Sequence, residues 1–128
     1  MNNVVIGVGS NIQPGKNIPK MLDLLKMKVE VIRVSTLVKT KPIGIKDQPD
    51  YINGAVMINT DLDQANLKKV LKDIEILLGR DPAAHKFGPR CIDLDIIVWN
   101  GEIVDLDYYS RDFLKKSVQE VLNADAVN

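Results

Sequence analysis

The sequence predicts an α+β domain in which an antiparallel sheet carries helices on one face. Three observations support this. Val4 to Val8, Tyr51 to Thr60 and Cys91 to Trp99 alternate with the period of two expected of strands. Two stretches, beginning near Asn17 and Asp63, place apolar residues along one side of a helix. The resulting order of β, α, β, β, α, β, followed by a hairpin strand and a last helix, suits a ferredoxin-like split-βαβ sandwich whose second sheet face stays open. At 128 residues the chain suits one domain with one core, over 1–128.

Taken in order, Val4, Ile6 and Val8 share a face, leaving Val5, Gly7 and Gly9 on the other. Glycines in a strand mark close approach of another backbone or a ligand. Asn17 is placed to cap a helix carrying Ile18, Met21, Leu22 and Leu25, with Pro19 in its first turn. Val29 to Thr40 is rich in β-branched residues and reads as one long strand. Lys41 to Asp50 holds two prolines and a glycine, too long a connection for a tight hairpin and so a candidate for ligand contact. In the next strand Ile52, Gly54, Val56 and Ile58 face one way, and Tyr51, Asn53, Ala55, Met57 and Asn59 the other.

Asp63 then caps a helix striped by Leu67, Val70, Leu71, Ile74, Leu77 and Leu78, which Gly79 ends. Glu75 lies off the stripe and is expected in solvent. Arg80 to Phe87 has no periodicity and reads as a loop with spaced cations. From Cys91, Ile92, Leu94, Ile96 and Val98 form the core face of a strand, and Asp93 and Asp95 stand together on its other face. Asn100-Gly101 signals a hairpin turn into a short strand over Glu102 to Val104. Ser110 is placed to cap a final helix with Leu114, Val118, Val121 and Leu122 inward.

Composition narrows the function. Seventeen basic residues balance seventeen acidic ones, so no global field attracts nucleic acid or an anionic membrane, and any anion site is local. The single cysteine, Cys91, excludes an internal disulfide and fits a reducing compartment. The N-terminus lacks the pattern of a signal peptide, and a soluble, cytoplasmic protein is expected. His85, the only histidine, has no partner pattern and reads as a loop residue.

The chemistry concentrates in Gly88-Pro89-Arg90-Cys91-Ile92-Asp93-Leu94-Asp95. Two carboxylates facing the same way repel each other and call for a cation, and magnesium favours carboxylate oxygen. A basic loop leading into an acidic strand is what a magnesium nucleotide site needs, with carboxylates for metal and cations for phosphate. On the same sheet face, Tyr51 and Asn53 offer a stacking ring and an amide for a flat heterocycle.

With these blocks in place, the chain resembles the 6-hydroxymethyl-7,8-dihydropterin pyrophosphokinases of folate biosynthesis. The resemblance rests on Gly9-Ser10-Asn11, on Thr40 to Gly44, on Asp47-Gln48-Pro49-Asp50-Tyr51-Ile52-Asn53, and on Gly79-Arg80 with Phe87 to Asp95. It implies transfer of pyrophosphate from ATP to the pterin hydroxymethyl oxygen, with release of AMP. Asp93 and Asp95 would hold two magnesium ions. Arg80, Lys86 and Arg90 would bind and stabilise the phosphates, joined on the nucleotide side by Glu75, Ile96 and Arg111. Thr40, Pro42, Ile43, Tyr51 and Asn53 would form the pterin pocket, with Phe87 and Phe113 as its aromatic covers. The resemblance is looser after the hairpin, where Asp105 to Tyr109 leads almost directly to Arg111-Asp112-Phe113. The expected partners are small molecules acting on a monomer. A non-catalytic homologue that binds pterin or nucleotide is the alternative, and a ferredoxin-like RNA-binding module ranks last.

Overall fold

The computed structural model describes residues 1–80, 83 and 88–123. Its strands are β1 (Asn2–Ser10), β2 (Glu30–Val34), β3 (Val38–Thr40), β4 (Tyr51–Thr60), β5 (Asp93–Trp99) and β6 (Glu102–Ile103). Its helices are α1 (Pro14–Lys26), α2 (Gln64–Leu77), α3 (Asp107–Ser110) and α4 (Asp112–Asn123). All pairings are antiparallel, in the order β2-β4-β1-β5-β6, with β3 also on β4. This is the predicted ferredoxin-like α+β arrangement, with β1 and β4 at its centre.

The face formed by Val4, Ile6, Val8, Val56, Ile58 and Leu94 packs against Ile18, Met21 and Leu25 of α1 and Leu67, Leu71 and Ile74 of α2. The other face is not wholly open. Val5, Ala55, Met57, Ile97 and Val98 pack against Leu114, Val118 and Val121, so α4 covers one end of it. The physical reason lies in β1 and β4, which carry apolar side chains on both faces over Val4–Ile6 and Ala55–Ile58 and therefore need cover on both. What stays open is the end built from Gly7, Gly9, Tyr51, Asn53, Asp93 and Asp95.

Several elements depart from the sequence reading. The register of β1 against β5 shifts between Val5 and Ile6: Ile6 faces Ile96, Val5 faces Val98, and Ile97 is the extra residue of a bulge. The alternation therefore changes phase. Ile96 stays with the α1/α2 core as expected, but Val98 joins Ile97 beneath α4 and Trp99 turns to the α1/α2 side. The expected long strand over Val29 to Thr40 breaks at 35–37. There Ser35 takes part in the sheet, its N–H donating to Ala55 O (2.9 Å) and its hydroxyl accepting from Ala55 N (2.8 Å).

Helix α1 starts before Asn17. Gln13 turns the chain at φ 42°, Pro14 opens the helix, and Asn17 sits inside it, donating to Ile12 O at 2.6 Å. Pro19 thus lies within the helix rather than in its first turn. Ser110 closes α3 and does not cap α4. Leu77 and Leu122, expected on the inward faces of α2 and α4, are exposed, while the cap and turn signals at Asp63, Gly79 and Asn100-Gly101 hold. Asp63 Oδ1 accepts from Asn66 N (2.8 Å), and Gly79 ends α2 at φ 106°. Asn100 and Gly101 turn the hairpin at φ 49° and 84°.

Candidate active site

A cleft of about 360 Å³ opens on the uncovered end of the sheet. Its floor follows from strand register. Gly7 pairs with Asp95, and Gly9 pairs with both Asp93 and Asn53, so the strand between the functional residues presents no side chains. Tyr51 and Asn53 of β4, Thr40 of β3, Asp93 and Asp95 of β5, Arg80 after α2, Arg90 before β5, and Arg111 and Phe113 around the start of α4 all line it. Residues brought together from so many parts of the sequence are the outcome expected of a built site. The period-two expectation that Tyr51 and Asn53 share a face with the acidic pair is met.

Glu75 is the main surprise. It is fully buried instead of solvated, and both its oxygens are used within the protein. Oε1 accepts from Arg80 Nη1 (2.5 Å) and Lys72 Nζ (3.3 Å), and Oε2 accepts from the Leu94 backbone N–H (2.8 Å). It does not line the cleft. Its carboxylate ties α2 to β5 between the two aspartates and holds Arg80 where Nη1 lies 3.7 Å from Asp93 Oδ1.

Burial raises the Asp93 carboxyl above the usual range and the negative charge of Glu75 adds to the effect, while Arg80, Arg90 and Lys72 oppose it. Asp95 is pushed up to about 7, first by burial, then by Asp93 and by Asp105 across the cleft. A divalent cation between them would relieve both effects. The Tyr51 phenol is raised, chiefly by burial and next by Asp93, and donates to Gly88 O at 3.1 Å.

The loops around the cleft are joined by Asn11, which is 4% exposed. Its Nδ2 donates to Gln48 Oε1 (2.9 Å) and Pro49 O (3.0 Å), and its Oδ1 accepts from Arg90 N (2.8 Å). Ser10 Oγ donates to Cys91 O at 2.6 Å. The segment Gly9-Ser10-Asn11 therefore fixes both the loop after β3 and the entry to β5.

Other expected residues fall elsewhere. Ile96 packs on the α1/α2 side, and it is Ile97, the bulge residue, that reaches the cleft. Pro42 is half-buried and does not line the cleft, whereas its neighbours Lys41 and Ile43 do. Lys86, Phe87 and His85 lie outside the described residues. The sequence reading did not find Lys72, Asp105 or Asp107, which also line the cleft, as does Lys41 of the loop expected to contact a ligand. Lys72 stands three residues before Glu75, the spacing of a helical pair, and burial of Glu75 is the signal that would have revealed it. Arg111 is oriented by Asp107 at 3.6 Å.

Paired carboxylates facing convergent cations, beside a ring and an amide on an antiparallel sheet, give an α+β protein a cleft chemically suited to a phosphorylated ligand. Comparison with known proteins makes this specific. Residues 5–123 match the pattern of the 7,8-dihydro-6-hydroxymethylpterin-pyrophosphokinase family, and the chain belongs to that family. It is 34% identical over 106 residues to the 2-amino-4-hydroxy-6-hydroxymethyldihydropteridine pyrophosphokinase of Pseudomonas aeruginosa, covering 80% of this chain and 65% of that protein. Against the Haemophilus influenzae protein of the same name it is 31% identical over 120 residues, covering 85% and 74%. It is also 39% identical over 98 residues to a folate synthesis bifunctional protein of Arabidopsis thaliana, covering 75% of this chain and 20% of that one. The chain thus spans a fifth of the plant bifunctional relative and about two thirds of the Pseudomonas one.

Proposed function

We propose that this protein transfers the β,γ-pyrophosphoryl group of ATP to 6-hydroxymethyl-7,8-dihydropterin, giving the pterin diphosphate and AMP. The observation that carries the reading is the convergence of Asp93 and Asp95 with Arg80, Arg90 and Arg111 around one cleft that also holds Tyr51, Asn53 and Phe113. Family membership supports the same activity.

The donor set fits magnesium. Among the described residues no group of three or more acidic, histidine or cysteine side chains forms a complete protein cage. Magnesium does not need one, since it is usually held by one or two carboxylates together with substrate phosphates and water. Asp93 and Asp95 would hold two ions, which would supply neutralisation of phosphate charge.

The chain's own residues do the rest. Arg80, locked by Glu75, and Arg90, at the stiff Gly-Pro-Arg entry, present guanidinium groups to phosphate oxygens; Lys86 would add an ammonium, and Arg111 closes the C-terminal side. Tyr51 and Phe113 flank the space for the pterin, with Asn53 at its edge and Thr40 and Ile43 around its rim. Phe87 would cover the ring from the loop after α2, excluding water that competes for the phosphoryl group. The described residues share one sheet, which supports a single domain over 1–128; action as a monomer in the cytoplasm is part of the same proposal, and the lone cysteine is in keeping with it. Among the described residues no helix is long and apolar enough to cross a membrane.

The experiment is AMP release from ATP and magnesium, with and without the pterin. Pterin-dependent AMP is expected. A folded protein that binds pterin and releases no AMP would support the binding-homologue alternative instead. In the same assay format, Asn53→Ala is expected to weaken pterin binding at least about tenfold and leave ATP binding nearly unchanged, as titration of each ligand separately will show. Equal weakening of both would remove Asn53 from the ring pocket.

A further inference from the structure

We propose that Lys72 is a further phosphate-binding residue of the cleft, presenting its ammonium to an oxygen of the ATP triphosphate beside Arg80. The proposal rests on the ATP reading above and adds to it a cation that lies outside the Gly-Pro-Arg and Asp-x-Asp segment.

Glu75 Oε1 accepts from two cations at once, Arg80 Nη1 at 2.5 Å and Lys72 Nζ at 3.3 Å, while Oε2 is taken by the Leu94 N–H at 2.8 Å. One carboxylate carries one negative charge, so the two cations keep a surplus of one positive charge beside the cleft that both side chains line. Cations held on the same oxygen repel each other, and an anion arriving between them relieves that repulsion.

The surplus falls on Lys72. Arg80 shares its charge with a second carboxylate, since Nη1 also lies 3.7 Å from Asp93 Oδ1. Lys72 meets Glu75 by the longer of the two contacts, and its side chain is 45% exposed. An ammonium has three N–H donors. One goes to Glu75, and among the described residues the other two have no protein partner.

Helix geometry explains why this side chain reaches the site. Lys72 stands three residues before Glu75 on α2, so the buried carboxylate draws its ammonium toward the sheet, and the long stem spans the helix flank. Its charge also acts along β5. Burial first, then neighbouring carboxylates, raise Asp93 and Asp95; Arg80, Arg90 and Lys72 oppose the rise at Asp93, whereas at Asp95 the opposing charge is that of Lys72. The carboxylates of β5 and an ammonium on α2 thus face the same space, and a polyphosphate lying there meets a cation that can turn to follow its oxygens.

The test measures the affinity of the protein for ATP with magnesium, and for the pterin separately, by titration calorimetry. Lys72→Gln is expected to weaken ATP binding about tenfold, the loss of one charge-assisted hydrogen bond, and to leave pterin binding nearly unchanged. The fall of ATP affinity with added salt is expected to become shallower in the same variant. Lys72→Arg keeps the charge and is expected to recover most of the ATP affinity. A second measurement separates direct contact from an effect passed through Glu75. In a Glu75→Gln background, Lys72→Gln is expected to weaken ATP binding again by a similar factor. No further weakening in that background, or unchanged ATP affinity with only a lower melting temperature in the single variant, would overturn the proposal and leave Lys72 as a partner of Glu75. Failure of the unmodified protein to bind ATP would instead overturn the ATP reading.

Discussion

Asp95→Asn is expected to lower turnover by about a thousandfold or more, equivalent to roughly 4 kcal/mol of transition-state stabilisation, while making the metal-free protein more heat-stable at pH 8. The two effects have one cause. Asp95 shares the cleft with Asp93 and with Asp105, and its carboxyl is pushed up to about 7 by burial first and by those negative neighbours next. Against an unfolded value of 3.8, the folded protein holds this proton more tightly. Between those two values the native state binds more protons than the unfolded chain, so stability falls as pH rises through that window and is greatest below it. The Asp95 side chain keeps contact with solvent, and screening reduces the effect well below what the full shift would carry; its direction is unchanged.

Melting curves at pH 5 and pH 8 without metal are expected to show the loss in the parent protein and a smaller one in Asp95→Asn. Magnesium at pH 8 is expected to raise the parent's melting temperature and leave the variant's unchanged. Near-normal turnover in Asp95→Asn would sink the metal assignment.

Removing Glu75 is expected to have the largest effect on the fold. Glu75→Ala leaves the Leu94 N–H without its acceptor in a buried setting and releases Arg80 from its strongest partner. Breaking a buried pair by deleting one member costs about 3–5 kcal/mol. At about 4 °C per kcal/mol for a chain of this size, the melting temperature should fall by more than about 10 °C. Glu75→Gln keeps an oxygen for Leu94 and loses the charge facing Arg80. It is expected to recover much of the stability and little of the activity, because Arg80 then swings toward Asp93. If Glu75→Ala melts within about 2 °C of the parent, the carboxylate does not tie α2 to β5 as described.

Glu75 also marks where sequence reading reaches its limit. Periodicity disclosed β1, β4, the core of α2 and the acidic face of β5, because each has enough consecutive positions to define a phase. It failed where one residue changes the phase. Ile96 and Ile97 are chemically alike, so nothing in the letters tells which one bulges, yet the bulge moves Val98 and Trp99 to opposite faces. Ser35 breaks a β-branched run with a hydroxyl that substitutes for backbone, a role visible only once Ala55 is alongside. In the site, Asp93, Asp95, Arg80, Arg90, Tyr51 and Asn53 were legible from motif and spacing. Lys72, Asp105 and Asp107 were not, because a lysine on a helix flank or an aspartate after a hairpin looks the same whether it faces water or a cleft. Glu75 departs from the apolar stripe of α2, and only the cations and the backbone N–H that meet it explain how a charge can be buried there.

The bulge at Ile97 has a spectroscopic consequence. It turns the only tryptophan, Trp99, away from the cleft and onto the α1/α2 core, where it is half-buried. Indole emission should therefore follow loss of that core during denaturation and stay nearly constant as ligands fill the site. Tyr51 and Phe113 line the cleft but emit too weakly beside an indole to compensate, so an unchanged emission spectrum during a titration is no sign that the cleft is empty.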